Sequence, residues 1–226
     1  MAGRNIVGLG GGGATLEQVR KLQGYVLDLT GRERPRICFV PTAVGDAAEA
    51  IVRFYEAYAG LGELSHLTFH PWPPQDLRRF VLARDVLVVS GGNTANLLAI
   101  WRLHGFDAVV REAWEEGVVL TGGSAGMICW FEASITDSFG PQLEGLRDGL
   151  GFLPGSACPH YDGEERRRPR YRELVDGGFL PGIAADDGVA VRYDGTELAE
   201  VVACRPGGAA YRVEPGAETR LEARVL

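Results

Sequence analysis

Lysine is nearly missing from this chain: Lys21 is the single one among 226 residues, and arginine carries the rest of the positive charge. Basic residues are outnumbered even so, 23 against 30 Asp plus Glu, for a formal net charge of −7. That balance argues against nucleic acid as a partner, because phosphate binding is driven by clustered positive charge. Cysteine is scarce as well. Cys38, Cys129, Cys158 and Cys204 are scattered and form no C-x-x-C pair, and Met1 leads directly into the strand-like "RNIVGLG" without space for a secretory leader. A reducing cytoplasm is the expected location. Long apolar runs are also missing; none approaches the roughly 20 residues a membrane-spanning helix needs, so no membrane is expected as a partner.

What is present is alternation. "NIVGL" precedes the amphipathic "TLEQVRKLQGYVLDL", "RICFVPTA" precedes "AEAIVRFYEAYAGLG", "DVLVVSGG" precedes "NTANLLAIWRLHG", and "GVVLTGG" leads into a helix-like "SAGMICWFE". β-Branched runs bounded by glycine and alternating with helices of ten or more residues predict βαβ units and a mainly parallel sheet covered on both faces. Ligands of such sheets bind beyond the carboxyl ends of the strands. After about residue 140 a Gly- and Pro-rich stretch predicts loops around short elements, and from "GIAADDGVAVRY" onward Asp-Gly and Pro-Gly turns predict hairpins finishing the sheet. One domain over residues 1–226 is expected.

Three glycine-rich turns fall at predicted strand ends. "GLGGGGAT" matches G-x-G-x-x-G through Gly8, Gly10 and Gly13, but no acidic residue ends the second strand as a dinucleotide site requires, and a flexible βα turn is the simpler account. In "SGGNTANLL", Gly91 and Gly92 can aim backbone N–H groups at an oxyanion while Asn93 or Thr94 caps the next helix. In "TGGSAG", Gly122, Ser124 and Gly126 fit G-x-S-x-G, the strand-to-helix elbow that exposes a nucleophilic serine, with the Ala125 N–H and the following helix dipole as anion stabilisers.

Such a serine needs a base. His104 precedes a glycine and suits a helix C-terminus; His66 and His70 flank a short strand-like run; His160 lies in the polar loop "ACPHYDGEE" downstream of the serine and is the expected base. Asp137 in "SITDSFG" gives the order Ser, Asp, His and is the expected orienting acid, in competition with Glu132, Asp162 and the pair Asp186-Asp187.

Taken together, "SGGNTANLLAIWRLHG", "TGGSAGMICWF" with "TDS", "CPHYDGE" and "GIAADDGVA" resemble peptidase family S51, which includes aspartyl dipeptidases and cyanophycinases. The resemblance implies a three-layer α/β/α sandwich like that of class I glutamine amidotransferases, and a serine exopeptidase that releases the N-terminal residue of short peptides without a metal or other cofactor. Residue by residue it puts Ser124 at the nucleophile, His160 at the base, Asp137 at the acid and Gly92 and Ala125 at the oxyanion donors. Asp187 is the reserve, as orienting acid or as binder of the substrate amine. Asn93 is a candidate substrate contact, and Arg167 corresponds to the arginine that binds an N-terminal aspartate side chain; the alternative for Arg167 is a helix start paired with Glu164 and Glu165. A short peptide is the expected partner and a homodimer the candidate assembly. Rival readings are a cyanophycinase-like hydrolase of β-Asp-Arg peptides, an esterase, and a non-catalytic binding module of the same fold.

Overall fold

The computed structural model describes residues 3–226. In the first half, β1 (Asn5–Leu9), β2 (Arg36–Val40), β3 (Glu63–His66), β4 (Val86–Val89) and β5 (Val119–Gly123) alternate with α1 (Leu16–Asp28), α2 (Ala48–Ala57), α3 (Leu77–Leu82) and the pair α4 (Thr94–Leu103) and α5 (Phe106–Glu115). These strands pair parallel in the order β1-β5-β4-β2-β3. On the far side of β1, β10 (Val189–Asp194) and β11 (Glu197–Ala203) add antiparallel, and β14 (Arg224–Val225) completes eight strands.

The period of two in each strand splits the apolar side chains between the faces. Val7, Ile37, Phe39, Val86 and Val119 join the core built with Leu22 and Val26 of α1 and Phe54 of α2. Ile6, Cys38, Val40, Leu87 and Leu120 join the other core, with Val81 of α3, Trp101 of α4 and Val110 of α5. The helices start where side chains replace missing intrahelical partners: Thr15 Oγ1 accepts from the Gln18 N–H, Asp76 Oδ1 from Arg79 and Asn93 Oδ1 from Asn96. Each such cap contributes about 1 kcal/mol.

Two features depart from expectation. The helix predicted over "SAGMICWFE" is a single turn, α6 (Ala125–Ile128), because the run Met127 to Phe131 is apolar on every side and buried throughout, and the chain turns at Trp130 into β6 (Phe131–Thr136). The loop-rich region is a second sheet. β7 (Glu144–Leu146), β8 (Leu153–Cys158), β9 (Gly182–Ala185), β12 (Ala209–Glu214) and β13 (Ala217–Glu222) join β6 in the order β13-β12-β9-β8-β6-β7. Phe131, Leu153 and Ile183 pack into the core beneath the main sheet, whereas Ile135 and Ala184 pack on Tyr171 and Val175 of α7 (Arg167–Asp176).

The architecture is thus a three-layer α/β/α sandwich around a mainly parallel sheet, with the second sheet and α7 stacked on one side. The strand-to-helix connections diverge at the centre: β1 feeds α1 in one layer, and its neighbour β5 feeds α6 in the opposite layer. A crevice at the carboxyl ends follows from that divergence. The four cysteines are free and buried, and among the described residues no helix is long and apolar enough to cross a membrane.

Candidate active site

Ser124 sits at the end of β5 with φ 56° and ψ −116°, a backbone conformation that non-glycine residues rarely adopt. The flanking glycines make the turn feasible. A Cβ on Gly122 would lie 2.4 Å from the Val89 carbonyl oxygen and 2.9 Å from the Gly126 Cα, and one on Gly126 would lie 2.4 Å from the same carbonyl. The elbow is held from the other side by β1, where the Ser124 N–H donates to Leu9 O at 3.2 Å.

The next carbonyl along the chain holds the histidine. The His160 N–H donates to Gly10 O at 2.9 Å, and His160 too has a positive φ, 53°. Its position follows from the second sheet, since His160 lies two residues past the end of β8, at the start of the loop to α7. The turn from β9 to β10, where the chain crosses from the second sheet back to the main one, carries Asp187. Asp187 Oδ1 lies 2.7 Å from His160 Nδ1. The pair is embedded in backbone: a Cβ on Gly11 would fall 1.8 Å from Asp187 Oδ1 and 2.8 Å from His160 Nδ1, and a Cβ on Gly163 would fall 2.0 Å from Asp187 Oδ2. The glycine run of the first βα turn therefore serves close approach to this pair. Asp162 Oδ1 accepts from the Asp187 N–H at 2.8 Å and is itself paired with Arg205.

Asp137 is not at the histidine. Its neighbours stitch it to the start of α4: Thr136 Oγ1 and Ser138 Oγ are 2.7 Å apart, Ser138 Oγ accepts from the Ala95 N–H at 3.2 Å, and Ser138 O accepts from Asn93 Nδ2 at 2.9 Å. This turns the Asp137 side chain outward, 57% exposed, with Arg167 Nη2 4.0 Å from its carboxylate. The expectation that Asp137 orients His160 is corrected accordingly: the carboxylate on Nδ1 is Asp187. Asn93, an expected substrate contact, is occupied with capping α4 and holding Ser138.

Arg167 is buried and closed off. Its Nε and Nη2 donate to the two carboxylate oxygens of Glu164 at 2.7 and 3.3 Å. Burial by itself would raise the Glu164 carboxyl, but hydrogen bonding to Arg167 and the charges of Arg167 and His160 outweigh it and hold Glu164 below its ordinary range. Glu164 thus belongs to the site's surroundings, and the hint lay in its i,i+3 spacing from Arg167. Asp186 points away from its neighbour Asp187: Oδ2 accepts from the Ala209 N–H at 3.1 Å, Oδ1 has no partner, and burial followed by the charge of Asp162 raises its carboxyl. The remaining histidines are engaged elsewhere, His66 with Tyr55, His70 with Asp46 and His104 at the end of α4.

On the oxyanion side, a Cβ on Gly91 would lie 3.3 Å from Ser124 Cβ, 3.4 Å from Gly123 O and 4.0 Å from Ser124 Oγ, so this glycine packs closely against the serine. Gly92, at φ 126°, is pressed against Ala43, whose carbonyl accepts from the Asn93 N–H at 2.8 Å. Among the described residues, no backbone carbonyl accepts from the N–H of Gly92 or of Ala125. Since α6 is four residues long, any anion stabilisation here comes from individual N–H groups, not from an extended helix dipole. No group of three His, Cys, Asp or Glu side chains gathers at metal-binding distances among the described residues.

A strained serine elbow on a parallel sheet, with a histidine-carboxylate pair from two other connections held against the neighbouring β1 turn, defines an α/β protein built like a hydrolase. The family model of Peptidase family S51 matches residues 6–201, and the chain belongs to that family; peptidase is its class of activity. It is 50% identical over 213 residues to an uncharacterized peptidase, YgaJ, of Bacillus subtilis, covering 93% of this chain and 92% of that one. It is 28% identical to Peptidase E of Shewanella denitrificans over 62% of this chain and 63% of that one. Among solved structures, a peptidase from an acI-B1 Actinobacterium superposes with TM-score 0.69 at 18% identity, covering 97% of this chain and 94% of the other. A putative Peptidase E protein from Listeria monocytogenes gives 0.65 at 18%, covering 89% and 99%. These two likenesses speak to the fold.

Proposed function

We propose that the protein is a serine exopeptidase that hydrolyses the N-terminal peptide bond of short peptides, with Ser124, His160 and Asp187 as its triad. Ser124 Oγ attacks the scissile carbonyl carbon while His160 Nε2 takes the hydroxyl proton. The C–N bond breaks as that proton passes to the leaving amine, and water attacks the resulting acyl-enzyme with His160 again as base. Asp187 at Nδ1 fixes the tautomer that leaves Nε2 free to accept and stabilises the imidazolium that forms. The N–H groups of Gly92 and Ala125 stabilise the oxyanion, each donor worth about 3 kcal/mol in related acyl transfer.

The single observation that carries this reading is the 2.7 Å His160 to Asp187 contact on the same β1 exit that holds the strained Ser124. Resemblance to aspartyl dipeptidases would suggest an N-terminal aspartate, but Arg167 is already paired with Glu164, which favours uncharged N-terminal residues over acidic ones.

The test is hydrolysis of free and N-blocked Asp-Leu, Leu-Leu and Ala-Ala by wild type and by Ser124→Ala, with EDTA present. Cleavage of the free peptides alone, abolished in the variant, is the expected result. Internal cutting of long unfolded proteins would overturn the exopeptidase assignment, and full activity in Ser124→Ala would overturn the nucleophile.

A further inference from the structure

Between α1, α2 and the main sheet lies a cavity of about 220 Å³ whose rim is formed by glycines, Gly12 and Gly13 after β1 and Gly122 and Gly123 just before Ser124. Val19, Leu22 and Val26 of α1, Ala57 of α2 and Val88 of β4 provide its apolar walls. It lies at the carboxyl ends of β1, β4 and β5 on the α1 side, next to the crevice where the connections from β1 and β5 diverge, the region in which α/β sheets bind ligands. Side chains could partly close such a space only at Gly12, where a Cβ would meet nothing within 4 Å, and at Gly123, where it would meet Leu9 Cβ at 3.8 Å; at Gly13 and Gly122 Gln18 Cβ and the Val89 carbonyl already occupy that position.

Its chemistry is one-sided. No charged side chain lines it, so a carboxylate or ammonium placed there would lose its hydration without a partner. The one amide in its wall is Gln23, 6% exposed, whose Oε1 is buried without a hydrogen-bond partner. A buried acceptor left open is uncommon in native interiors. A cavity of about 150 Å³ with comparable lining is enough to hold benzene, so the present one has space for a branched aliphatic or an aromatic side chain.

We infer that this cavity is a specificity pocket for the peptide substrate, and that it takes an apolar side chain beside the scissile bond, with Gln23 Oε1 open to a hydroxyl or indole N–H on that side chain. The inference rests on the serine peptidase reading and names its substrate class: short peptides with Leu, Met, Phe, Tyr or Trp next to the bond that Ser124 attacks. A wider cavity of about 620 Å³ lies at the opposite end of the sheet, where Arg36 pairs with Asp85 and Arg78 with Glu112; it is remote from the serine.

Two arms test this. In the first, kcat/KM is measured for Leu-Leu, Phe-Ala, Ala-Ala and Asp-Ala with wild type, Ala57→Phe, which fills the cavity from α2, and Gly12→Phe, which blocks the rim where a Cβ meets nothing within 4 Å. Wild type is expected to favour the large apolar peptides over Ala-Ala by about 10- to 100-fold, the range set by burying one such side chain. Either variant should lower that ratio by about tenfold or more. In the second arm, thermal shifts of Ser124→Ala are recorded with leucinamide, phenylalaninamide, glycinamide and aspartic acid amide. The first two should stabilise the protein, and adding Ala57→Phe should remove the effect.

A wild-type preference for Asp-Ala, equal shifts for all four amides, or an unchanged ratio in two folded variants would overturn the pocket. If no peptide is cleaved at all, the peptidase reading fails while the amide shifts still decide the pocket.

Discussion

In the proposed mechanism the His160 to Asp187 contact works through tautomer and orientation, so the informative substitutions alter those and little else. Asp187→Asn retains a hydrogen-bonding group at Nδ1 but can present an N–H there, favouring the tautomer whose Nε2 is already protonated. A loss of about 10³- to 10⁴-fold in kcat is expected, with the melting temperature close to wild type. Asp137→Asn, with its side chain turned to Arg167 and solvent, should stay within about threefold of wild type in kcat/KM. Comparable losses in the two variants would contradict the assignment. Gly11→Ala probes the same pair from the backbone. Its Cβ would overlap Asp187 Oδ1 at 1.8 Å, so the carboxylate must move off Nδ1. Activity should fall at least tenfold in steady-state assays, and thermal unfolding should still be cooperative.

Elements were legible to the degree that their own residues decide them. The alternation of β-branched runs with amphipathic ones fixes β1, β2, β4 and β5 with α1, α2 and α4, since each buries an apolar stripe at its own period, whereas β3, whose "ELSH" has no β-branched residue, forms only by pairing with β2. The second sheet escapes such a reading: β7 and β9 have only three and four residues, and Gly145, Pro154, Gly155 and Gly182 interrupt its strands, so pairing across distant parts of the chain creates it. The candidate site divides along the same line. Ser124 is visible because its elbow is local, and His160 because its loop is polar and glycine-bordered. The carboxylate depends on where the chain crosses from β9 to β10, which no nearby residue announces, so several Asp residues look alike until the sheets are assembled. Local rules do support a prediction for α1. Gly24 lies inside this helix, and a Cβ there would meet nothing within 4 Å. Gly24→Ala should therefore stabilise the protein by about 0.5 to 1 kcal/mol, seen as a rise of about 1 to 4 °C in melting temperature. An unchanged or lower value would mean that the helix is not limiting for stability.

Over the whole molecule, carboxylates tied to arginines set the response to acid. Burial would raise the Asp85 carboxyl, but hydrogen bonds from the Arg36 guanidinium and N–H, with the charges of Arg36 and Arg32, bring it below its ordinary 3.8. Glu164 and Glu218 follow the same pattern below 4.5: burial opposes, and hydrogen bonds from Arg167 to Glu164, and from Tyr161 and then Arg168 to Glu218, prevail. A carboxyl depressed by folding contributes stability that is complete above its unfolded pKa and is lost as pH falls through its folded one. Asp186 has the opposite sign: burial and Asp162 raise it, so its ionised form opposes folding and protonation relieves that opposition. Lowering the pH from 7 should therefore leave the melting temperature level or slightly higher until the arginine-bound carboxylates begin to protonate, and below about pH 4 it should drop steeply. Asp85→Asn provides the control. With Asp85 only 9% exposed but Arg36 and Arg32 at 38% and 59%, solvent screening limits its cost at pH 7 to about 1 to 2 kcal/mol, or about 2 to 8 °C. Because the variant has already lost this linkage, its further drop between pH 5 and pH 3 should be smaller than that of wild type. Parallel curves for the two proteins, measured by thermal melts across that range, would show that Asp85 does not carry the acid sensitivity.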